Sequence, residues 1–400
     1  MRILFAADVS ISGVIGGAER VLYEQTTRLA GRGHNVHVLT RRLPSHASDR
    51  ETISLVPEWR YSVAPQSPLS YFVTTLKNAR AYYEYLQKTW NFEFINFHQP
   101  FTAYAVLRSP AARGVKKIYT CHSLSFEEFQ TRNPETRSFS GKILYWLNIH
   151  LRRYIESRSL RESNLAVVLS RFTRDKIMAA YGIDGDKIRI IPGGVDLKKF
   201  RHAEDREKIR TALKIPQNRI ILLTVRNLVP RMGLENLVTA LKAVKQTIPE
   251  VYLVLAGKGP LKNDLMSLTE RLGLGSHIRF EGFIPEESLA DYYSMADLFI
   301  LPTRELEGFG LVTIEALASG TPVLGTPVGG TLEILEAFGP GWIFKDTGAE
   351  SMAELITETC LKIRRETGWR DRIGIKCREF AENRYSWETN VNSFEALLQD

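Results

Sequence analysis

The sequence is poor in cysteine, with three in 400 residues: Cys121, Cys360 and Cys377. They are odd in number and lack Cys-x-x-Cys spacing, so a disulfide framework or zinc site is disfavoured and a reducing compartment fits. No segment approaches the ~18 apolar residues needed to span a bilayer. The apolar start, Met1 to Ala7, is ended by Asp8 too early for a signal peptide and reads as a first buried strand. No zinc-finger, RNP-type or basic-zipper pattern is present, which makes nucleic acid the weakest partner class. Nor does any Ser/His/Asp or Cys/His nucleophile pattern have local support.

What the chain does have is length, ordinary globular composition and an uneven charge. Four hundred residues exceed what one hydrophobic core normally covers, so two domains are expected. The net charge is +8, but residues 1–193 hold 27 Lys/Arg against 16 Asp/Glu, a net of +11. Residues 194–400 hold 26 against 29, a net of −3. A basic first half points to an anionic partner, either a phosphate-bearing acceptor or an anionic membrane face.

Read in order, the chain alternates strands and helices. Residues 2–7 are followed by the glycine-rich turn Ser10 to Gly17, a helix over Ala18–Leu29 and a strand over Val36–Thr40. This is the start of a parallel doubly wound sheet. The turn is not a Gly-x-Gly-x-x-Gly fingerprint, so dinucleotide binding is not supported. Phe94–His98 and Lys117–His122 read as strands that each end in a histidine. In open α/β sheets ligands gather outside the carboxyl ends of strands, which makes His98 and His122 candidate site residues. A long helical stretch, 139–162, mixes arginines with apolar residues. It reads as a core helix with a solvated basic face, the alternative being a helix lying on an acidic membrane surface. Ile191 to Asp196 is rich in turn residues and marks the domain junction. A second strand–helix series follows, with a helix over Pro285–Met295, and the stretch from Ser386 to Leu398 is helical and returns to the first domain. Asp184-Gly185-Asp186 has the Asp-x-Asp form of a metal–nucleotide site, but it sits in a helix-to-strand connection and reads as a turn.

The second half centres on Glu307-Gly308-Phe309-Gly310-Leu311-Val312-Thr313-Ile314-Glu315. It reads as strand, glycine-bearing loop and short helix, with backbone N–H groups and a helix N-terminus available to an anion. Glu315 lies about two helical turns beyond Glu307, which places the two Cα atoms roughly 10 Å apart. That suits two ends of an elongated polyhydroxyl ligand better than one bond-cleaving pair at ~5 Å.

Taken together and in this order, several segments resemble the family 4 retaining glycosyltransferases over nearly the full length. They are Gly16-Gly17-Ala18-Glu19, Thr120-Cys121-His122, Ile191-Pro192-Gly193-Gly194-Val195-Asp196, Gly257-Lys258-Gly259-Pro260, Gly282-Phe283-Ile284, Glu307 to Glu315, Gly320-Thr321-Pro322-Val323 and Gly329-Gly330. The resemblance implies an α/β protein of two facing Rossmann-like domains, the GT-B fold, with a C-terminal helix crossing back to the first domain. The implied division is an acceptor-binding domain at 1–193, a nucleotide-sugar domain at 194–380 and the returning helix at 381–400. It further implies that Glu307 contacts the transferred sugar, Glu315 the ribose, and the backbone of Phe309, Gly310 and Leu311 the diphosphate, with Gly308 also on the donor side. Gly17 approaches the phosphates, Phe283 holds the base through its backbone, and His122 lies by the reaction centre. Gly16 and His98 fall on the acceptor side.

Family members carry an Arg and a Lys that neutralise the leaving diphosphate. Aligned on Pro230 and Gly233, Asn227 and Met232 stand in their places here. Arg226 and Arg231 flank both and are expected to reach in. The implied activity is metal-independent transfer of a hexosyl group, mannosyl or glucosyl being candidates, from a UDP- or GDP-linked sugar to a glycan or lipid-linked acceptor. No cofactor and no metal are expected, and the protein is expected to be cytoplasmic, with the inner face of the membrane as a peripheral contact. The alternatives are a catalytically impaired donor-binding relative and a GT-B-fold nucleotide-sugar isomerase.

Overall fold

The computed structural model of the chain describes residues 1–13, 16–64, 66–133, 138–203 and 205–399. Of the glycine-rich turn, Val14 and Ile15 lie outside the described residues. The chain forms two compact units, Met1–Gly193 with Trp387–Asp400, and Gly194–Ser386.

The first unit is built on an eight-stranded sheet. Its strands are β1 (Arg2–Ala6), β2 (Asn35–Arg41), β3 (Arg50–Ile53), β4 (Val56–Tyr61), β5 (Phe94–Phe97), β6 (Lys116–Cys121), β7 (Leu165–Val168) and β8 (Ile188–Ile190). The order is β3-β4-β2-β1-β5-β6-β7-β8, with β3 pairing antiparallel to β4 and the other pairs parallel. Strands such as Ile3-Leu4-Phe5 are apolar on both faces because helices cover both sides of a parallel sheet. The helices used below are α1 (Gly17–Gly31), α2 (Pro68–Trp90), α3 (Pro100–Leu107), α4 (Ser125–Arg132) and α5 (Phe139–Glu162).

Helix α5 matches the expected span, but only its second half is a core helix. Ile149, Ile155, Ser159 and Leu160 are buried, whereas Phe139, Ile143, Leu144, Trp146 and Leu147 are exposed. The exposed face of the first half is therefore apolar, while the solvated basic face expected of the helix lies on its second half, where Arg153 and Arg161 are exposed.

The helix Trp369–Arg384 runs through residue 380 and stays with the second unit. The returning segment is the helix Trp387–Gln399, which buries Val391, Phe394, Leu397 and Leu398 in the first unit's core. Its Glu388 pairs with Arg28 at 2.7 Å and Arg32 at 2.7 Å, and Glu395 pairs with Arg32 at 2.6 Å.

The second unit carries a five-stranded parallel sheet, ordered β11-β10-β9-β12-β13. The strands are β9 (Ile220–Val225), β10 (Val251–Ala256), β11 (Ile278–Gly282), β12 (Leu298–Leu301) and β13 (Val323–Gly325). The helix expected over Pro285–Met295 is confined to Leu289–Met295. Its first residues form a turn instead, with the Ser288 N–H donating to the Pro285 carbonyl at 3.0 Å.

Candidate active site

The five strands of the second unit are parallel, so their carboxyl ends share one edge, where open α/β sheets collect ligands. Arg226 follows β9, Gly257 follows β10, Phe283 follows β11 and Thr326 follows β13. The backbones at this edge approach closely. Gly257 has φ +136°, and a Cβ there would stand 1.7 Å from the Arg226 carbonyl oxygen. Beyond β12 the chain loops into the helix Leu311–Ala318, whose N-cap is Gly310 at φ +92°. A Cβ on Gly310 would stand 2.1 Å from Thr331 Oγ1, so both conformation and space require glycine. The Gly330 N–H donates to the Glu307 carbonyl at 2.8 Å and holds the loop from the other side.

This helix begins without a capping side chain, and the Thr313 hydroxyl in its first turn is buried without a partner. Uncapped first-turn N–H groups and an orphaned hydroxyl together make a site for an anion such as a phosphate.

Glu307 is not free at this edge. Its carboxylate pairs with Arg226 Nη2, their side chains being 12% and 7% exposed. The same Nη2 reaches Thr303 Oγ1 at 3.0 Å and the Met232 thioether at 2.9 Å, while Arg226 Nε is buried without a partner. Arg226 thus brings a cation to the position beside Met232. Arg231 does not reach in the same way. Its Nη1 donates to the Leu306 carbonyl at 2.8 Å, and its own carbonyl accepts from Arg304 N–H at 2.8 Å. It clamps the loop in which Leu306 takes the unusual φ of +57°. Asn227 is exposed, and its carbonyl accepts from the Val229 N–H at 2.9 Å. Glu315 is buried and accepts from the Tyr293 hydroxyl at 2.9 Å. Phe309 is buried with its ring 5.9 Å from that of Tyr385, Leu311 is half-buried, and Phe283 is exposed with Lys258 Nζ 5.1 Å from its ring centre.

In the first unit, His98 and His122 sit just past β5 and β6 and are joined directly, His98 Nδ1 to His122 Nε2 at 3.0 Å. Behind them Thr120 Oγ1 donates to Asn96 Oδ1 at 2.9 Å, which turns the Asn96 amide N–H toward His98 Nε2 at 3.0 Å. That order fixes the tautomers. His98 Nε2 must accept, so its proton is on Nδ1 and is donated to His122 Nε2, leaving His122 with its proton on Nδ1. Burial disfavours the charged form of both rings, holding His98 well below the ordinary histidine value and His122 at about 4. His122 is therefore a neutral hydrogen-bond donor, not a base. Ring-nitrogen NMR should find it as the neutral Nδ1–H tautomer from about pH 8 down to about pH 5, with protonation only nearer 4. A midpoint near 6.5, or a proton on Nε2, would overturn this.

Gly16 is the N-cap of α1 and Gly17 is its exposed first residue. Asp184-Gly185-Asp186 is a turn, with Asp184 Oδ1 accepting from Asp186 N–H at 3.0 Å. Among the described residues no group of three or more His, Cys, Asp or Glu side chains is arranged to hold a metal ion. The sequence reading passed over Asn96 and Thr303. The signal for Asn96 was available, since residues i and i+2 of a strand share a face and His98 is two residues on.

The fold and the second unit's anion-ready edge define the class: a GT-B transferase. Sucrose-phosphate synthase from Thermosynechococcus elongatus superposes with a TM-score of 0.83 at 23% identity, covering 100% of this chain and 98% of that one. HepE of Anabaena in complex with UDP and glucose gives 0.76 at 20% identity, with both chains fully covered. These likenesses establish the fold. The profile described as Glycosyltransferase Family 4 matches residues 15–199, and that described as Glycosyl transferases group 1 matches residues 205–367. The chain belongs to the family 4 glycosyltransferases and, as a member, is a hexosyltransferase that uses a nucleotide sugar.

Among its relatives is a GDP-mannose-dependent phosphatidylinositol monomannoside mannosyltransferase of Mycolicibacterium smegmatis, 27% identical over 65% of this chain and 69% of that protein. Mannosylfructose-phosphate synthase of Agrobacterium fabrum is 25% identical over 83% of this chain and 75% of that protein.

Proposed function

We propose that the chain transfers a mannosyl or glucosyl group, with retention and without a metal ion, from a UDP- or GDP-linked sugar to a glycan or lipid-linked acceptor. The observation that carries this reading is the Arg226–Glu307 pair beside the uncapped N-terminus of Leu311–Ala318. A carboxylate there accepts hydrogen bonds from sugar hydroxyls, and the helix N–H groups and Arg226 meet the charge that develops on the diphosphate. Glu315 is assigned to the ribose and Phe283 to the base. His122 is assigned to the transferred sugar as a neutral donor, with Gly17 on the phosphates and Gly16 and His98 on the acceptor side.

In the step proposed, the acceptor hydroxyl oxygen bonds to the anomeric carbon on the face the diphosphate leaves. The bond from that carbon to the β-phosphate oxygen breaks, its electrons stay on the diphosphate, and the hydroxyl proton passes to the β-phosphate. The nucleoside diphosphate departs. Attachment to the inner membrane face as a peripheral protein is part of the proposal, supported by the basic first half and the exposed apolar face of α5. No described helix is long and apolar enough to cross a membrane.

Calorimetric titration with UDP and GDP, followed by donor-consumption assays with and without acceptor, tests the reading. Binding of one nucleotide and acceptor-dependent turnover are expected. Acceptor-independent conversion of the donor would point to an isomerase, and binding without turnover to a donor-binding relative.

A further inference from the structure

The first unit contains a cavity of about 620 Å³ between α2, α3, α4 and α5. That is within the size range of sites for small organic ligands. Its walls are largely aromatic and aliphatic, with Tyr71, Phe72, Phe101, Phe129, Leu144 and Tyr145 among them. Two of these residues tie it to the carboxyl edge of the sheet. Phe101 lies three residues past His98, and Phe129 lies seven past His122.

Two cations line the cavity: Arg132, exposed and paired with Glu128 at 3.3 Å, and Arg152, which lies within the apolar wall. The Arg152 guanidinium is 4.9 Å from the Phe101 ring centre and 4.8 Å from that of Phe129. Its Nη1 donates to Ser125 Oγ at 3.2 Å, and its Nε is buried without a partner. Among the described residues Arg152 makes no ion pair; Asp8, Glu156 and Glu128 attract it only at longer range. A desolvated guanidinium with unused donors is costly unless an anion completes it. Burial accordingly lowers its pKa from the ordinary arginine value.

The surroundings of the cavity extend the apolar theme outward. Phe139 is 81% exposed on the first turn of α5, and Ile143 and Leu147 follow at four-residue spacing on the same face. Leu69 and Val73 on α2 are also exposed, beside the cavity-lining Pro68 and Phe72. A water-soluble phosphosugar would leave the aromatic walls and this exposed apolar face unused. An anionic lipid uses both features.

We propose that this cavity binds an anionic lipid, with the apolar chain among Phe72, Phe129, Leu144 and Tyr145 and the phosphate on Arg152. The site deepens the proposed function, on which it rests for its purpose: the lipid is the carrier of the acceptor. Its binding can be measured independently of donor chemistry.

The test uses the full chain and three probes: dodecyl phosphate below its micelle concentration, dodecyl maltoside likewise, and inorganic phosphate. Dodecyl phosphate is expected to bind about tenfold or more tighter than either of the others, because only it supplies both chain and anion. Arg152→Met, which keeps an apolar side chain of similar length, should lose about tenfold in dodecyl phosphate affinity, and Arg152→Lys should recover part of it. Leu144→Asp, at an exposed position, should weaken dodecyl phosphate binding without changing the melting temperature. Equal binding of inorganic phosphate and dodecyl phosphate would reduce the cavity to a phosphate site and overturn the proposal. So would unchanged affinity in Arg152→Met, or equal binding of dodecyl maltoside. UDP and GDP titrations of the same variants separate the two readings. Dodecyl phosphate binding without nucleotide binding leaves the lipid site standing while the transferase reading fails, and the reverse result removes the lipid site alone.

Discussion

Glu307→Ala should lower turnover at least about a hundredfold and also destabilise the second unit. Both effects trace to one contact. Glu307 accepts from Arg226, and the Thr303 hydroxyl lies 3.4 Å from the same carboxylate oxygen. Both members of the pair are nearly buried, so deleting the carboxylate leaves a guanidinium without its counter-charge, at a cost on the order of 3–5 kcal/mol. A rate lost that way would say nothing about catalysis. Glu307→Gln separates the two effects. It keeps the shape and one acceptor oxygen but removes the charge, so the melting temperature should fall less than in Glu307→Ala. Turnover should still fall by about tenfold to a hundredfold, because charge-assisted bonds are roughly twice as strong as neutral ones. A double variant, Arg226→Met with Glu307→Gln, removes both charges and should recover stability relative to Glu307→Ala without recovering rate. Wild-type turnover in Glu307→Gln would sink the assignment of Glu307 to the sugar.

The residues of this pair show how far the sequence could be read. Glu307 was legible because it stands at a strand-to-helix loop with glycines around it, and the strand-end rule locates such loops before any coordinates exist. Its partner was not. The sequence places Arg226 beside an expected cation, but pairing with Glu307 depends on β9 and β12 being neighbours in a sheet whose order does not follow the chain. The same limit hid the Thr120–Asn96 contact behind the histidines, since these two residues lie on different strands that only the register brings together.

Other features were missed for local reasons. The β3–β4 hairpin turns through Ser54 and Leu55 at φ +46° and +74°, conformations normally announced by Asn-Gly or Asp-Gly. At Gly257 and Gly259 the sequence shows glycines but not their role, which is to let a neighbouring backbone approach. A Cβ on Gly259 would stand 2.4 Å from the Leu228 carbonyl oxygen. Helix α5 was legible as a helix, but its pattern could not say that only its second half meets the core. Amphipathic spacing gives a face, and the elements packed against it, chiefly α3 and α4, decide how much of that face is covered.

The second large effect is expected at Arg226, and it bears on why a methionine stands where the family carries a lysine. Met232 is 5% exposed and packs in the second unit's core, with its sulfur 2.9 Å from Arg226 Nη2. A thioether donates no hydrogen bond and carries no charge, so it cannot stabilise a leaving diphosphate. Arg226, from the end of β9, brings its guanidinium to the same spot with Nε still without a partner. If Arg226 is the cation that meets the leaving group, Arg226→Met should cost about 3 kcal/mol of transition-state stabilisation, or roughly a hundredfold in turnover. UDP or GDP affinity should fall less, since in the proposed reading the helix N-terminus still holds the phosphates. Adding Met232→Lys to Arg226→Met should restore about tenfold of the lost rate by returning a cation to the family's position. Met232→Lys alone should instead lower the melting temperature, because it places an ammonium beside a guanidinium in a nearly dry site. Failure of Met232→Lys to rescue, in a protein that still binds nucleotide, would mean that Arg226 serves only to hold Glu307. Turnover unchanged by Arg226→Met would place the whole charge of the leaving diphosphate on the helix N-terminus.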